Sequence, residues 1–331
     1  MTPNPKLSMI VATDDTYATV RRTVSFLLKQ TAIADVELII ACCSAEDLNP
    51  DMDDLNCFGC HQIVERPGTF ASGHFLAAAI AAARAPAVMY LEEHNFPPPR
   101  TAEVAIKELV ENARPALGFS MEPSNPGIVA WAHLYGQFGT AVAPVISGPV
   151  PRFGGHHAAY RKDTLMPYGD DLPDLMNNEA VLHEDMRQRG TPMFITSEVI
   201  IPHAQISDFS VLVRQDYLAQ RVYAAARMEL LNWSIWRRLV YVAGAPLIPI
   251  KRGITAAYHI IRTGRATRLL LPTVPVMFAA HTAGAFGEAV GYIFGAGEKV
   301  NADRMEIELD RYAFVNATDR QQAQDGQYLR R

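Results

Sequence analysis

The chain opens on a short apolar run, Leu7–Thr13 (LSMIVAT), that stops abruptly at Asp14-Asp15. A continuous apolar run of that length bounded by polar residues predicts a buried β-strand. Between Tyr17 and Gln30 the apolar residues Val20, Val24, Leu27 and Leu28 recur at helical spacing, which predicts a helix. Val36–Cys43 is a second β-rich run. Thr69–Ala85 reads as an alanine-rich helix suited to close packing. Ala87–Leu91 is another short strand, closed by Glu92-Glu93-His94-Asn95, and Pro97-Pro98-Pro99 then leads into a helix ending near Asn112. Farther on, Leu172–Gly190 reads as one helix carrying Glu179, and Met193–Ile201 as a strand that runs into Pro202-His203. No internal repeat or low-complexity segment interrupts the pattern.

Strands and helices alternating at this length predict βαβ units, hence an α/β fold with a mixed, mostly parallel sheet flanked by helices. Ligands of such sheets sit off the carboxyl ends of the strands. The residues that deserve inspection are therefore Thr13, Asp14 and Asp15 after the first strand, Cys43 and Ser44 after the second, and Glu92, Glu93 and His94 after Ala87–Leu91. No G-x-G-x-x-G opens a helix after the first strand and no P-loop pattern is present, so neither of those phosphate sites is expected.

Composition narrows the classes. With 331 residues and 36.5 kDa the chain makes one large domain or two modest ones. Hydrophobic residues at 49% and charged residues at 20% exclude a disordered polymer. A net charge of −5 and a pI of 6.1 argue against a nucleic-acid partner. Leu7–Ala12 is too short for a signal-peptide core, so a cytoplasmic chain with reduced cysteines is expected. Cys57-Phe-Gly-Cys60-His61 fits the haem-attachment pattern, but that chemistry needs export. A zinc site built from all four thiolates is the better metal reading, yet Cys42 and Cys43 are adjacent on a strand and point to opposite faces. Small buried residues plus a surface pair is the simpler account.

The last third differs in texture. Between Arg237 and Arg268 there are seven Lys or Arg residues and no Asp or Glu. Leu269–Phe286 then contains no charged side chain, a length at the edge of a membrane span, with Pro272 and Pro275 expected to interrupt it. Leu239–Ile250 is apolar but too short to cross. Two readings carry equal weight: a surface for an anionic membrane through residues 232–295, or a helical subdomain packed on the core. The expected division is 1–227 and 228–331.

Single residues here are weak signals, but their order is specific. The strand LSMIVAT, the helix ending Leu27-Leu28-Lys29-Gln30, the strand Glu37-Leu-Ile-Ile, and Tyr90-Leu-Glu-Glu-His-Asn-Phe-Pro97 follow one another as in a known family. Gly155-His-His-Ala-Ala-Tyr-Arg161, then Asn178-Glu179, Leu182 and Met186-Arg-Gln-Arg-Gly190, then His203 and Gly287-Glu-Ala-Val-Gly-Tyr-Ile-Phe-Gly295 continue the series. The chain resembles a bacterial branch of the family 2 glycosyltransferases, over nearly its whole length.

That resemblance implies a GT-A, Rossmann-like fold with a C-terminal helical extension. It also implies inverting transfer of a sugar from a nucleotide-diphosphate sugar to an acceptor hydroxyl, in cell-surface polysaccharide or glycolipid synthesis. Glu179 would be the catalytic base, with Glu184 or Asp185 as substitutes. Thr13, Asp14, Asp15, Ser44 and Glu92 would bind the donor. His156, Tyr160 and Arg161 would face the acceptor or diphosphate, although Arg161 can equally pair with Asp163. Glu93, His94 and His203 would hold Mn²⁺ or Mg²⁺. The partners implied are a nucleotide-sugar and a carbohydrate or lipid-linked acceptor, at the inner face of the cytoplasmic membrane. Three departures from the family pattern stand out: Glu92-Glu93-His94 replaces the usual D-x-D, Cys43-Ser44 replaces a strand-end aspartate, and Ala12-Thr-Asp-Asp15 replaces Pro-Thr-Tyr-Asn. They keep open a non-catalytic binding or scaffolding subunit. A nucleotidyltransferase is disfavoured, because Ala12–Thr19 has neither glycine nor lysine.

Overall fold

A computed structural model describes residues 4–68, 72–154, 157–309 and 311–324 of the chain. Two compact units emerge, Met1–Met121 with Val145–Pro202, and Glu122–Pro144 with His203–Arg331. In chain order the elements begin β1 (Leu7–Ala12), α1 (Tyr17–Leu27), β2 (Val36–Cys42), α2 (Ala45–Leu48), α3 (Met52–Leu55), β3 (Cys60–Glu65), α4 (Ser72–Ala82) and β4 (Ala87–Leu91). Next come α5 (Thr101–Ile106), β5 (Ala116–Pro123), α6 (Ile128–Phe138), β6 (Gly148–Val150), β7 (Ala159–Arg161), α7 (Lys162–Leu165), α8 (Leu172–Asn177), α9 (Glu179–Gln188) and β8 (Met193–His203). The helices α10 (Phe209–Leu230), α11 (Ile235–Gly244), α12 (Ile248–Arg262), α13 (Ala266–Phe294), α14 (Glu298–Leu309) and α15 (Ala317–Gln324) follow.

The first unit is built on a sheet of order β3-β2-β1-β4-β7-β5-β8-β6. β1 lies in parallel register between β2 (Leu7↔Val36) and β4 (Leu7↔Ala87), and β2 pairs in parallel with β3. β7 is antiparallel to both β4 and β5, so β5 runs in the direction of β1–β4. The expected α/β class, a mixed and mostly parallel sheet flanked by helices with a C-terminal helical extension, is the fold that forms. All residues of β1, β2 and β4 are buried, as parallel strands covered on both faces require. One face is packed by α1 through Val20, Val24 and Leu27 and by α5 through Ala102 and Ala105. The other carries α4, which buries Phe75, Ala79 and Ile80 and packs on β1, β2, β3 and α8.

One ionisable group sits wholly inside β2. Glu37 accepts from Ser8 Oγ at 2.5 Å, from Gln62 Nε2 at 2.6 Å and from the Arg84 backbone N–H at 2.9 Å, with the Arg84 guanidinium 3.6 Å away. A buried carboxylate is tolerable only when its lone pairs are satisfied in this way.

The second unit is helical. α13 packs along α10 and α12, and α6 joins the same group. The glycines of α13 explain the closeness of α10: a Cβ on Gly287 would lie 2.2 Å from the Tyr217 carbonyl oxygen, and one on Gly291 2.4 Å from that of Arg221. Trp233, Tyr241 and Tyr292 form an aromatic group over which the Arg227 guanidinium lies, 4.3 Å from the Trp233 ring centre.

Two expectations need correction. Pro272 and Pro275 do not break the apolar stretch; α13 runs 29 residues through both. Its buried face, from Leu269 through Met277 to Tyr292, is packed along its length, and that packing outweighs the lost backbone bonds. Conversely, Leu172–Gly190 is two helices. Asn178 leaves helical geometry (φ −139°, ψ 63°), so Glu179 opens α9 instead of lying mid-helix.

Candidate active site

The carboxyl ends of β1, β2 and β4 adjoin in the sheet, which places Thr13–Asp15, Cys43–Ser44 and Glu92–His94 on one edge. The loop after β4 is anchored from several sides. Thr23 Oγ1 on α1 donates to the Glu93 carbonyl oxygen at 2.6 Å. Gln30, the residue that ends the first helical pattern, donates to the Pro98 carbonyl at 2.9 Å and accepts from the Ala102 N–H at 2.9 Å. The Phe96 N–H donates to the Pro202 carbonyl at 3.0 Å, which ties this loop to β8 one residue before its end at His203.

Glu92, Glu93 and His94 form one cluster. His94 is fully buried; its Nδ1 lies 2.9 Å from Glu93 Oε1 and its Nε2 3.0 Å from Glu92 Oε2. The two carboxylates thus take different parts. Glu93 is buried and grips Nδ1, the contact that fixes a ligating imidazole's tautomer and orientation. Glu92, the more exposed of the two, shares the Nε2 side. Glu93, expected as a metal ligand, thus meets the imidazole at Nδ1, and Glu92, expected on the donor, stands beside Nε2. At the end of β8 the Gln205 side-chain amide bonds His203 Nδ1.

The β1 end is polar and organised. Thr13 is buried, and its Oγ1 accepts from the Asp15 N–H at 3.1 Å, while Asp15 Oδ2 accepts from Thr19 Oγ1 at 2.8 Å. The Asp14 carboxyl is pushed up, first by desolvation and then by the charges of Asp15 and Glu93, against its own backbone hydrogen bond. Ser44 is committed to capping α2, its Oγ accepting from the Asp47 N–H at 3.2 Å. All four cysteines are free thiols, and burial pushes Cys42 up to about 11, where it stays protonated.

A second cluster joins β7 to α9. The Tyr160 hydroxyl lies 2.8 Å from His183 Nε2 and donates to Glu179 Oε1 at 3.3 Å. Tyr160 is fully buried, so it cannot face an acceptor as expected; it positions Glu179 instead. Burial, with the Arg152 charge adding to it, pulls His183 down to about 3 and keeps it neutral. Nothing in the sequence pointed to His183, because its partner is 23 residues away and joins it only through the sheet.

Arg161 does not reach the ligand edge. β7 runs against β4, so Arg161 pairs with Ala87, at the start of that strand and away from Glu92. Its guanidinium is spent on Asp163, with Nε 3.0 Å from Oδ1. That pairing holds the Asp163 carboxyl low. His156 lies outside the described residues.

No protein-family model and no curated protein matches the chain. Among solved structures it is similar to S. aureus TarS 1-349 in complex with UDP (TM-score 0.49, 14% identity, 87% of this chain and 90% of that one) and to TarS 1-349 alone (TM-score 0.47, 14% identity, 98% and 93%). It is also similar to GalNAc-T7 with UDP, GalNAc and Mn²⁺ (TM-score 0.46, 12% identity, 60% of this chain and 43% of that one).

Proposed function

We propose that this chain is an inverting GT-A glycosyltransferase that moves a sugar from a nucleotide-diphosphate sugar to an acceptor hydroxyl. The observation that carries the reading is the clasp of His94 between Glu92 and Glu93 at the ligand edge of the sheet. A carboxylate that fixes one ring nitrogen, beside a second carboxylate next to the other, is the arrangement of a cation site with its outer support. Glu92 and His94 are the residues that would hold the ion; His203, expected with them, ends β8 and belongs to the second unit. An imidazole beside a carboxylate suits Mn²⁺ better than Mg²⁺, which prefers oxygen ligands. When bound, such a cation supplies charge neutralisation to the departing diphosphate.

The chain's own residues supply the rest. Asp14 and Asp15 would accept from the nucleoside hydroxyls at the end of β1. Glu179, the first residue of α9, would take the proton of the attacking hydroxyl. Tyr160 holds the Glu179 carboxylate through its hydroxyl, and neutral His183 fixes that hydroxyl in turn. The acceptor in this reading is a carbohydrate or lipid-linked hydroxyl of the cell envelope, met at the cytoplasmic face of the membrane.

Thermal unfolding with a panel of nucleotides and nucleotide-sugars, with and without Mn²⁺, tests the donor half. Ligand at 100 times its Kd adds about 2.7 kcal/mol, which is readily seen. Stabilisation by a nucleoside diphosphate that depends on Mn²⁺ is expected. No shift with any nucleotide would overturn the reading.

A further inference from the structure

We infer that α11, α12 and α13 carry a docking face for an anionic lipid bilayer, on which the protein lies without crossing. This deepens the reading of a membrane-presented acceptor, but it rests on the surface of the second unit alone.

The argument begins with exposure. Single exposed apolar side chains are ordinary, whereas several in register on packed helices are not. α11 exposes Trp236 (75%) and Val240 one turn apart. α12 continues the pattern with Ile250, Ile254 and Tyr258, spaced by four residues, and α13 exposes Leu271 at 85%. α11 and α12 each pack on α13, so these stripes belong to neighbouring elements. Burying such residues together in an interface is the behaviour of an amphipathic helix lying in the headgroup region.

Charge selects the occupant. From Glu229 to Glu288 there is no Asp or Glu between the two, although the whole chain has a net charge of −5. Not every cation of that stretch is available: Arg252 pairs with Glu288, Arg262 donates to the carbonyls of Gly139, Val142 and Pro144, and Arg265 pairs with Glu122. Arg237, Lys251 and Arg268 are exposed, on the same three helices as the apolar stripes. Apolar residues interleaved with cations, in a segment free of acids, complement anionic lipid. A second copy seated through the same face would bring no acid from this stretch to meet those cations.

Geometry excludes a span. α13 is long and apolar enough to cross, but 39% of its most apolar window is buried within the protein. Gly287 and Gly291 press against the backbone of α10, a helix that carries Arg214, Asp216 and Arg221. Inserting α13 would strip it from α10 or drag those charges into hydrocarbon.

The test is co-sedimentation of the full chain with vesicles of phosphatidylcholine alone and of phosphatidylcholine mixed with phosphatidylglycerol. Binding to the anionic vesicles is expected, weakening as salt rises. Lys251→Gln and Arg268→Gln should each lower the partition coefficient about fivefold. Trp236→Ser with Ile254→Ser should lower it tenfold or more. All four positions are exposed, and unchanged circular dichroism and melting of the variants establishes folding. Absence of binding to both vesicle types, or unchanged binding by the variants, would overturn the inference. So would retention through carbonate extraction, which means insertion, or self-association abolished by Trp236→Ser with Ile254→Ser, which means a second copy covers the face. Nucleotide-dependent thermal shifts of the same variants report separately on the glycosyltransferase reading, which can fail while vesicle binding stands.

Discussion

Glu93 Oε1 lies 2.9 Å from Nδ1 of His94, and both residues are buried at the end of β4. The carboxylate therefore holds the ring with Nε2 turned to the Glu92 side. Removing it should leave the ring in place but free to turn. Glu93→Ala is expected to weaken Mn²⁺ binding by about 10- to 100-fold, the usual cost of losing an orienting partner. Isothermal titration with Mn²⁺ in the presence of nucleoside diphosphate measures it. An unchanged Mn²⁺ affinity would show that Glu93 orients nothing.

Glu179 is held by the Tyr160 hydroxyl at the start of α9. Glu179→Gln keeps the size and the hydrogen bond yet cannot take a proton. It should retain the Mn²⁺-dependent nucleotide shift and lose transfer by about 10²-fold or more. Tyr160→Phe should lower kcat less and shift the pH–rate profile, because the carboxylate loses its donor. Full turnover in Glu179→Gln would move the base to Glu184 or Asp185.

His183 gives the fold a pH dependence. Its folded pKa of about 3 is far below the unfolded value of about 6.5, so between those limits the unfolded chain binds the extra proton. Its contribution is complete above pH 6.5 and is lost as pH falls toward 3. From pH 7.5 to 5 the wild type should lose about 2 kcal/mol more than His183→Gln. Urea unfolding at the two pH values checks this; parallel losses in both proteins would mean that His183 is not held neutral.

The glycines of α13 differ sharply from the glycine of α12. Gly287→Ala would drive a methyl against the Tyr217 carbonyl and should cost about 2 kcal/mol or more. Gly253→Ala meets nothing within 4 Å on a helix and should gain up to about 1 kcal/mol. Denaturant midpoints of the two variants should move in opposite directions.

The strands legible in the sequence were those buried on both faces. β1, β2 and β4 are continuous apolar runs because parallel strands under two layers of helix leave no polar face. β6 and β7 are three residues each, too short for any periodicity, and the direction of β7 is set by its pairing with β4 and β5. That hidden reversal is why Arg161 looked like a site residue: only the antiparallel register puts it beside Ala87. Likewise the acidic cluster after β4 was visible as three adjacent residues, but the division of labour between Glu92 and Glu93 depends on the turn that points them at different nitrogens. The break at Asn178 carried no proline or glycine to announce it.

The central claim is that the Glu92–Glu93–His94 clasp and Glu179 serve one sugar-transfer reaction. The most direct test is release of nucleoside diphosphate from a panel of nucleotide-sugars, UDP-sugars included, with Mn²⁺ or EDTA, by the wild type, His94→Ala and Glu179→Gln. The account predicts Mn²⁺-dependent release from at least one donor by the wild type. His94→Ala should lose both release and the nucleotide-dependent thermal shift, and Glu179→Gln should lose release while keeping the shift. Release that is unaffected by EDTA and by both substitutions would contradict it.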